Sequence, residues 1–210
     1  MKLVKKGKTQ LILGAAQRGP GALARQVWLA LMDSFVRKRH LVFRLDAGSR
    51  EGGPKAGKNA AQVREILSPG DFPQDALALL NDPEAAHDWG AMGWLEAGWR
   101  LWVLEKDGHV QALAWVRDAA HSRDFFVPLN EYEELFWHIY VLPQYRGRNL
   151  QGQLWKAIVA DRMADGVQGF FTNCRDYNVP SKLNIQKVGF VPVGHCDEGR
   201  LTRRRVWRSY

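Results

Sequence analysis

Two titratable side chains, Glu134 and His138, stand in an apolar run that a basic turn follows. Imidazole titrates nearest neutral pH, so His138 has the better intrinsic pKa for a general base, with Glu134 behind it. A packed or surface histidine is the plain alternative. The run Leu135–Val141 is rich in aromatic and β-branched residues, which suits a buried strand. Strict alternation puts Glu134 and His138 on the face opposite Trp137, unless a bulge reverses the parity. Pro143 ends the strand, since proline cannot donate to a ladder. Beyond it Leu150, Leu154, Ala157, Ile158 and Val159 recur at helical spacing, and a helix is expected from near Arg146. The connection carries Arg146, Gly147, Arg148 and Asn149, of which Gly147 and Asn149 tolerate left-handed backbone. A strand, a basic turn of small residues and a helix N-terminus aim unpaired N–H groups outward. That suits a phosphate or pyrophosphate.

The arrangement resembles the acyl-CoA-binding turn of the GNAT superfamily, the GCN5-related N-acetyltransferases. Its pattern is Val-x-Pro, two residues, then Arg/Gln-x-x-Gly-x-Gly/Ala. Val141, Pro143 and Arg146 fall in register, whereas Asn149 and Gln151 replace the two motif glycines, and Gly147 and Gly152 lie nearby out of register. A second segment matches as well: Asn178 and Ser181 stand where the family has Asn-x-x-Ala/Ser, and Gly189-Phe190 where it has Gly-Phe.

The resemblance implies an α/β fold, a mixed and mostly antiparallel sheet flanked by helices. It implies acetyl-CoA or another acyl-CoA as co-substrate and a small amine as acceptor. Gly147, Arg148, Asn149, Leu150, Gln151 and Gly152 would hold the pyrophosphate, Ile139 and Tyr140 would line the pantetheine path, and a backbone N–H near Val141 would polarise the thioester. Asn178 would lie beside the cofactor. Arg146 and Arg148 would add charge or simply solvate the loop. The usual catalytic side chains do not carry over: Ile185 replaces a tyrosine acid, Asn173 one base, and Trp137 and Leu135 two others. Tyr177 is left as a second-choice acid, and Cys174 reads as inert packing rather than a nucleophile. Gln151, Ile185 and the Ser181 helix together resemble members associated with bacterial surface-polysaccharide genes, which implies an amino-sugar or related amine.

The elements that must position these residues follow from the rest of the chain. It has 210 residues, 46% hydrophobic, enough for one good-sized domain, and a net charge of +8 that favours anionic partners. Two cysteines are too few for a disulfide framework, so a cytoplasmic setting is expected. No apolar run approaches a membrane span, nothing at the start resembles a secretory signal, and no metal-ligand spacing stands out.

Residues 1–39 read as an N-terminal extension and 40–210 as the acyltransferase domain. Met1–Arg18 is expected to be a frayed tail or one added strand. Pro20 opens an amphipathic helix through Phe35 to the basic cluster Arg37–His40, with weak membrane-surface contact as an alternative to core packing. Leu41–Leu45 reads as a strand, Ala47–Gly57 as a glycine-rich loop, Ala60–Leu67, Pro73–Leu80 and Pro83–Ala97 as helices. Trp99–Glu105 and Val110–Arg117 form a hairpin closed by Asp107-Gly108. Gly166–Cys174 is a strand, Asn178–Lys187 a helix, Phe190–Cys196 and Arg200–Trp207 strands. Arg203 and Arg205 on the last strand are candidates to hold an anionic acceptor. Arginines interleaved with aromatics there also raise a tRNA-directed transferase as an alternative. A solvated sheet edge is the plainer reading, and no stable nucleic-acid partner is expected. A third alternative is an acyl-CoA-binding module that has lost catalysis.

Overall fold

The computed structural model describes residues 6–49, 62–73, 77 and 92–210, with side chains from residue 11 onward. Its helices are α1 (Lys6–Ala16), α2 (Pro20–Phe35), α3 (Gly93–Glu96), α4 (Leu150–Ala164) and α5 (Val179–Val188). Its strands are β1 (Arg37–Asp46), β2 (Gln62–Ile66), β3 (Arg100–Lys106), β4 (His109–Arg117), β5 (Glu133–Val141), β6 (Gly169–Arg175), β7 (Val191–Gly199) and β8 (Arg205–Ser209). Together they give the expected mixed, mostly antiparallel α/β architecture.

The chain falls into two compact units. One comprises residues 1–43, 173–183 and 192–210, the other 44–172 and 184–191. In the larger unit the order is β2-β3-β4-β5-β6, antiparallel except for the parallel β5–β6 pair. The β3–β4 hairpin turns on Asp107 (φ 54°) and Gly108 (φ 77°), the two left-handed residues a tight hairpin requires. Leu101, Val103, Leu113 and Trp115 build the core on one face of this sheet. On the other, Trp155 of α4 packs against Phe136 and Phe190.

The smaller unit pairs β7 with β8 and holds α1, α2 and the first part of β1. Met1–Arg18 is neither tail nor strand where it is described: Lys6–Ala16 is a helix, and Ala15 in it is fully buried. α1 ends at a turn through Gly19 (φ 105°), and Pro20 starts α2 as expected. The basic cluster Arg37–His40 lies beyond the helix, which stops at Phe35. It opens β1, where Arg37 and Arg39 pair with Asp197 and Lys38 with Glu198 on β7.

Two further expectations change. Residues 62–66, read as helix, form an edge strand. Its Arg64 grips Glu105 of β3 (2.8 Å) and its Ile66 is buried, so pairing overrides a helix-compatible composition. The last strand is shorter than Arg200–Trp207, because Gly199–Arg204 makes the reversal. The proposed helices at 73–80 and 83–97 lie largely outside the described residues, of which only α3 and Leu77 bear on them.

Candidate active site

β5 carries the candidate site of the larger unit. It pairs with β4 along its length, but with β6 only from Glu133 to Phe136. The Leu142 N–H donates to the Gln111 carbonyl (3.0 Å), which fixes the phase of the antiparallel ladder. Tyr140 and His138 therefore bond toward β4, and the N–H groups of Ile139 and Val141 point to the opposite edge. Among the described residues of this unit, that edge has no strand partner beyond Phe136.

The strand leads straight into the basic turn. Gly147 has φ 82° and Asn149 is left-handed (φ 56°, ψ 27°), and α4 starts at Leu150, later than expected from periodicity, because Asn149 occupies the N-cap. Gln153 donates to the Asn149 carbonyl, so the N–H groups of Leu150, Gln151 and Gly152 are the helix's orphan donors. A Cβ at Gly147 would meet nothing within 4 Å, so the space above the turn is open. At Gly152 a Cβ would come within 2.8 Å of Asn149 Oδ1, so a side chain there would have to displace the carboxamide. Arg146 donates to the Val141 carbonyl (3.1 Å), and Arg148 lies 5.6 Å from the Tyr145 ring centre. Gln151, whose bulk threatened a pyrophosphate, is held by Asn184 (3.1 Å). The turn thus fits an anionic group approached by backbone donors and two guanidinium groups.

A bulge reverses parity on β5. Trp115 pairs with His138 but Val116 with Phe136, leaving Trp137 as the extra residue. Glu134 and His138 are therefore on opposite faces, contrary to strict alternation. Glu134 is buried and held by Arg162 of α4 through three contacts of 2.9–3.2 Å. His138 is half-buried beneath Trp94, ring centres 6.0 Å apart, and Trp94 leans on Trp99 at 4.6 Å.

Solved structures similar to this chain bear on the same architecture. A GNAT-family protein from Novosphingobium aromaticivorans superposes with a TM-score of 0.52 at 15% identity over 76% of this chain. A Drosophila protein gives 0.52 at 15% over 84%, and a GCN5-related N-acetyltransferase from Sphaerobacter thermophilus 0.51 at 12% over 84%. The fold is the GNAT fold. The chain spans 63%, 56% and 54% of those three proteins' lengths. No protein-family model and no curated protein matches it.

Asn178 caps α5, its Oδ1 accepting from the Ser181 N–H (3.3 Å). Ile185 is 1% exposed, an apolar core residue where the resemblance places an acid. Tyr177 is half-buried, and burial pushes its phenol up, which keeps it protonated. Arg205 pairs with Glu198 (3.4 Å) on β8. Arg203 is exposed and left-handed (φ 55°) in the preceding turn, not on the strand, so the two arginines do not share a strand face.

Asn173 has a partner that the sequence did not reveal, the His40 ring, 3.1 Å away, whose other nitrogen meets Arg175 at 3.0 Å. A guanidinium can only donate, so Nε2 is the acceptor of the Arg175 contact, and the Asn173 carboxamide meets Nδ1. Burial lowers the His40 pKa to about 4. His40 was legible only as part of a basic cluster; its pairing with Asn173 depends on β1 and β6. Cys174 is buried, and burial raises its thiol to about 12, while Cys196 is buried and raised too.

Proposed function

We propose that the chain is an acyl-CoA-dependent N-acyltransferase that acetylates a small amine, amino-sugars among its acceptors. One observation carries the reading. A single strand aims the Ile139 and Val141 N–H groups at an open edge and ends in a turn whose orphan donors suit a pyrophosphate.

The residues then divide the work. Backbone N–H groups of residues 147–152 receive the pyrophosphate, with Arg146 and Arg148 adding charge. The Val141 N–H is placed to polarise a thioester carbonyl, which is already activated toward an amine. His138 is the candidate to take the amine proton, directly or through water. Asn178 caps its helix.

Calorimetric titration with acetyl-CoA tests the site. Gly147→Val has open space for its side chain but must hold a left-handed backbone that costs a β-branched residue ~1–2 kcal/mol or more. Affinity is expected to fall about tenfold. Unchanged affinity in a folded variant would place the site elsewhere.

A second reading, a binding module without turnover, is favoured by the buried Ile185 and by Asn173 being engaged with His40. Release of CoA thiol in the presence of amines separates the two: tight acetyl-CoA binding with no release from any amine would establish the module.

A further inference from the structure

Arg117 ends β4 and is 4% exposed. Its guanidinium sits in the corner made by two indoles set at 77° to each other, with Cζ 4.4 Å from the Trp99 ring centre and 4.9 Å from that of Trp137. Nε donates to the His121 carbonyl (2.7 Å), and Nη2 reaches that carbonyl and the Asp124 carboxylate. Nη1 has no partner among the described residues. Beside the His121 carbonyl, Ser122 is 2% exposed and its Oγ is also without a partner.

A buried donor left unsatisfied costs about 1–3 kcal/mol, more when charged. Arg117 Nη1 offers a cationic N–H pair, and Ser122, the residue after the His121 whose carbonyl Arg117 binds, offers a hydroxyl; carboxylate oxygens accept from both kinds of group. The same corner adjoins the reaction strand. Trp137 is the bulged residue beside His138, and Trp94 touches both Trp99 and His138. Trp99 and Trp137 are each only half-buried, so the indole pair reaches solvent.

We propose that Arg117 Nη1, with the Ser122 hydroxyl, binds the carboxylate of the acceptor amine, so that the acceptor is an amino acid or a carboxylated amino-sugar. This rests on the acyltransferase reading. A monoanion suits the site better than a phosphate dianion: Asp124 already neutralises one face of the guanidinium, and indole walls cannot hydrate a second charge. The carboxylate accepts hydrogen bonds here while the amine lies toward His138.

The test uses matched acceptors with the intact protein and acetyl-CoA: phenylalanine against phenethylamine, and muramic acid against glucosamine and glucosamine 6-phosphate. CoA-thiol release is expected to show a KM ~10–100-fold lower for the carboxylated member, the worth of a charge-assisted hydrogen bond. In Arg117→Met the ratio of the two KM values is expected to fall to about one, and Arg117→Lys to restore part of it. Should the methionine variant not fold, the wild-type ratios and the lysine variant decide. Equal KM values within pairs, as when water satisfies Nη1, overturn the proposal, as does preference for the phosphate or a ratio unchanged in Arg117→Met. If no amine releases CoA, the acyltransferase reading fails. Indole fluorescence then reads the site alone: a change with phenylalanine and not with phenethylamine sustains it, and equal responses overturn it.

Discussion

His138 is the residue on which catalysis turns in this reading. The bulge at Trp137 sets it on the Trp94 side of the sheet, away from Glu134. If it takes the amine proton, His138→Ala lowers turnover ~10²–10⁴-fold with acetyl-CoA binding retained. Steady-state kinetics beside calorimetry checks this, and full activity in the alanine variant would leave the proton to solvent. Glu134 has a different task. Both it and Arg162 are at most 7% exposed, so the pair holds α4 to β5 in a dry environment. Glu134→Ala strands a buried guanidinium and is expected to cost ~3–5 kcal/mol in urea unfolding, far more than an exposed pair. A loss under ~1 kcal/mol would mean that Asp165, the other partner of Arg162, suffices.

At the scale of elements, the β5–turn–α4 passage was legible because its pattern changes from strand to helix around Pro143. The Asp107-Gly108 hairpin was legible for a similarly local reason, since the turn needs residues that accept positive φ. The bulge was not. Leu135–Val141 is almost wholly apolar, and a run without polar residues has no phase from which to read which side chain is extra. β2 was misread because Gln62-Val63-Arg64-Glu65-Ile66 suits either element until Arg64 meets Glu105 on β3. The basic start of β1 was misread because its partners, Asp197 and Glu198, come from far along the chain. Arg117 was legible only as the last residue of an expected strand, because its place against Trp99 and Trp137 needs the hairpin and the bulge together.

For the whole molecule, acid sensitivity centres on the smaller unit. His40 has a pKa near 4 when folded against an ordinary value of 6.5. Between those values the unfolded chain takes up a proton that the folded chain refuses. Stability therefore rises with pH across that window and levels off above it; acidification removes up to roughly 3 kcal/mol. Urea unfolding between pH 4 and 7 is expected to show this slope, and His40→Gln to flatten it. An identical slope in the variant would assign the effect to other groups. The same burial that protects His40 from protons protects the sulfur atoms. With both thiols enclosed and Cys174 held near pKa 12, neither supplies much thiolate at neutral pH. The folded protein should therefore be nearly silent toward a chromogenic disulfide reagent, colouring only after denaturant is added. An immediate two-thiol burst from the native protein would contradict that enclosure. A silent background gives the enzymologist a clean instrument: every equivalent of colour in a coupled assay counts one liberated coenzyme, with no correction for the catalyst itself.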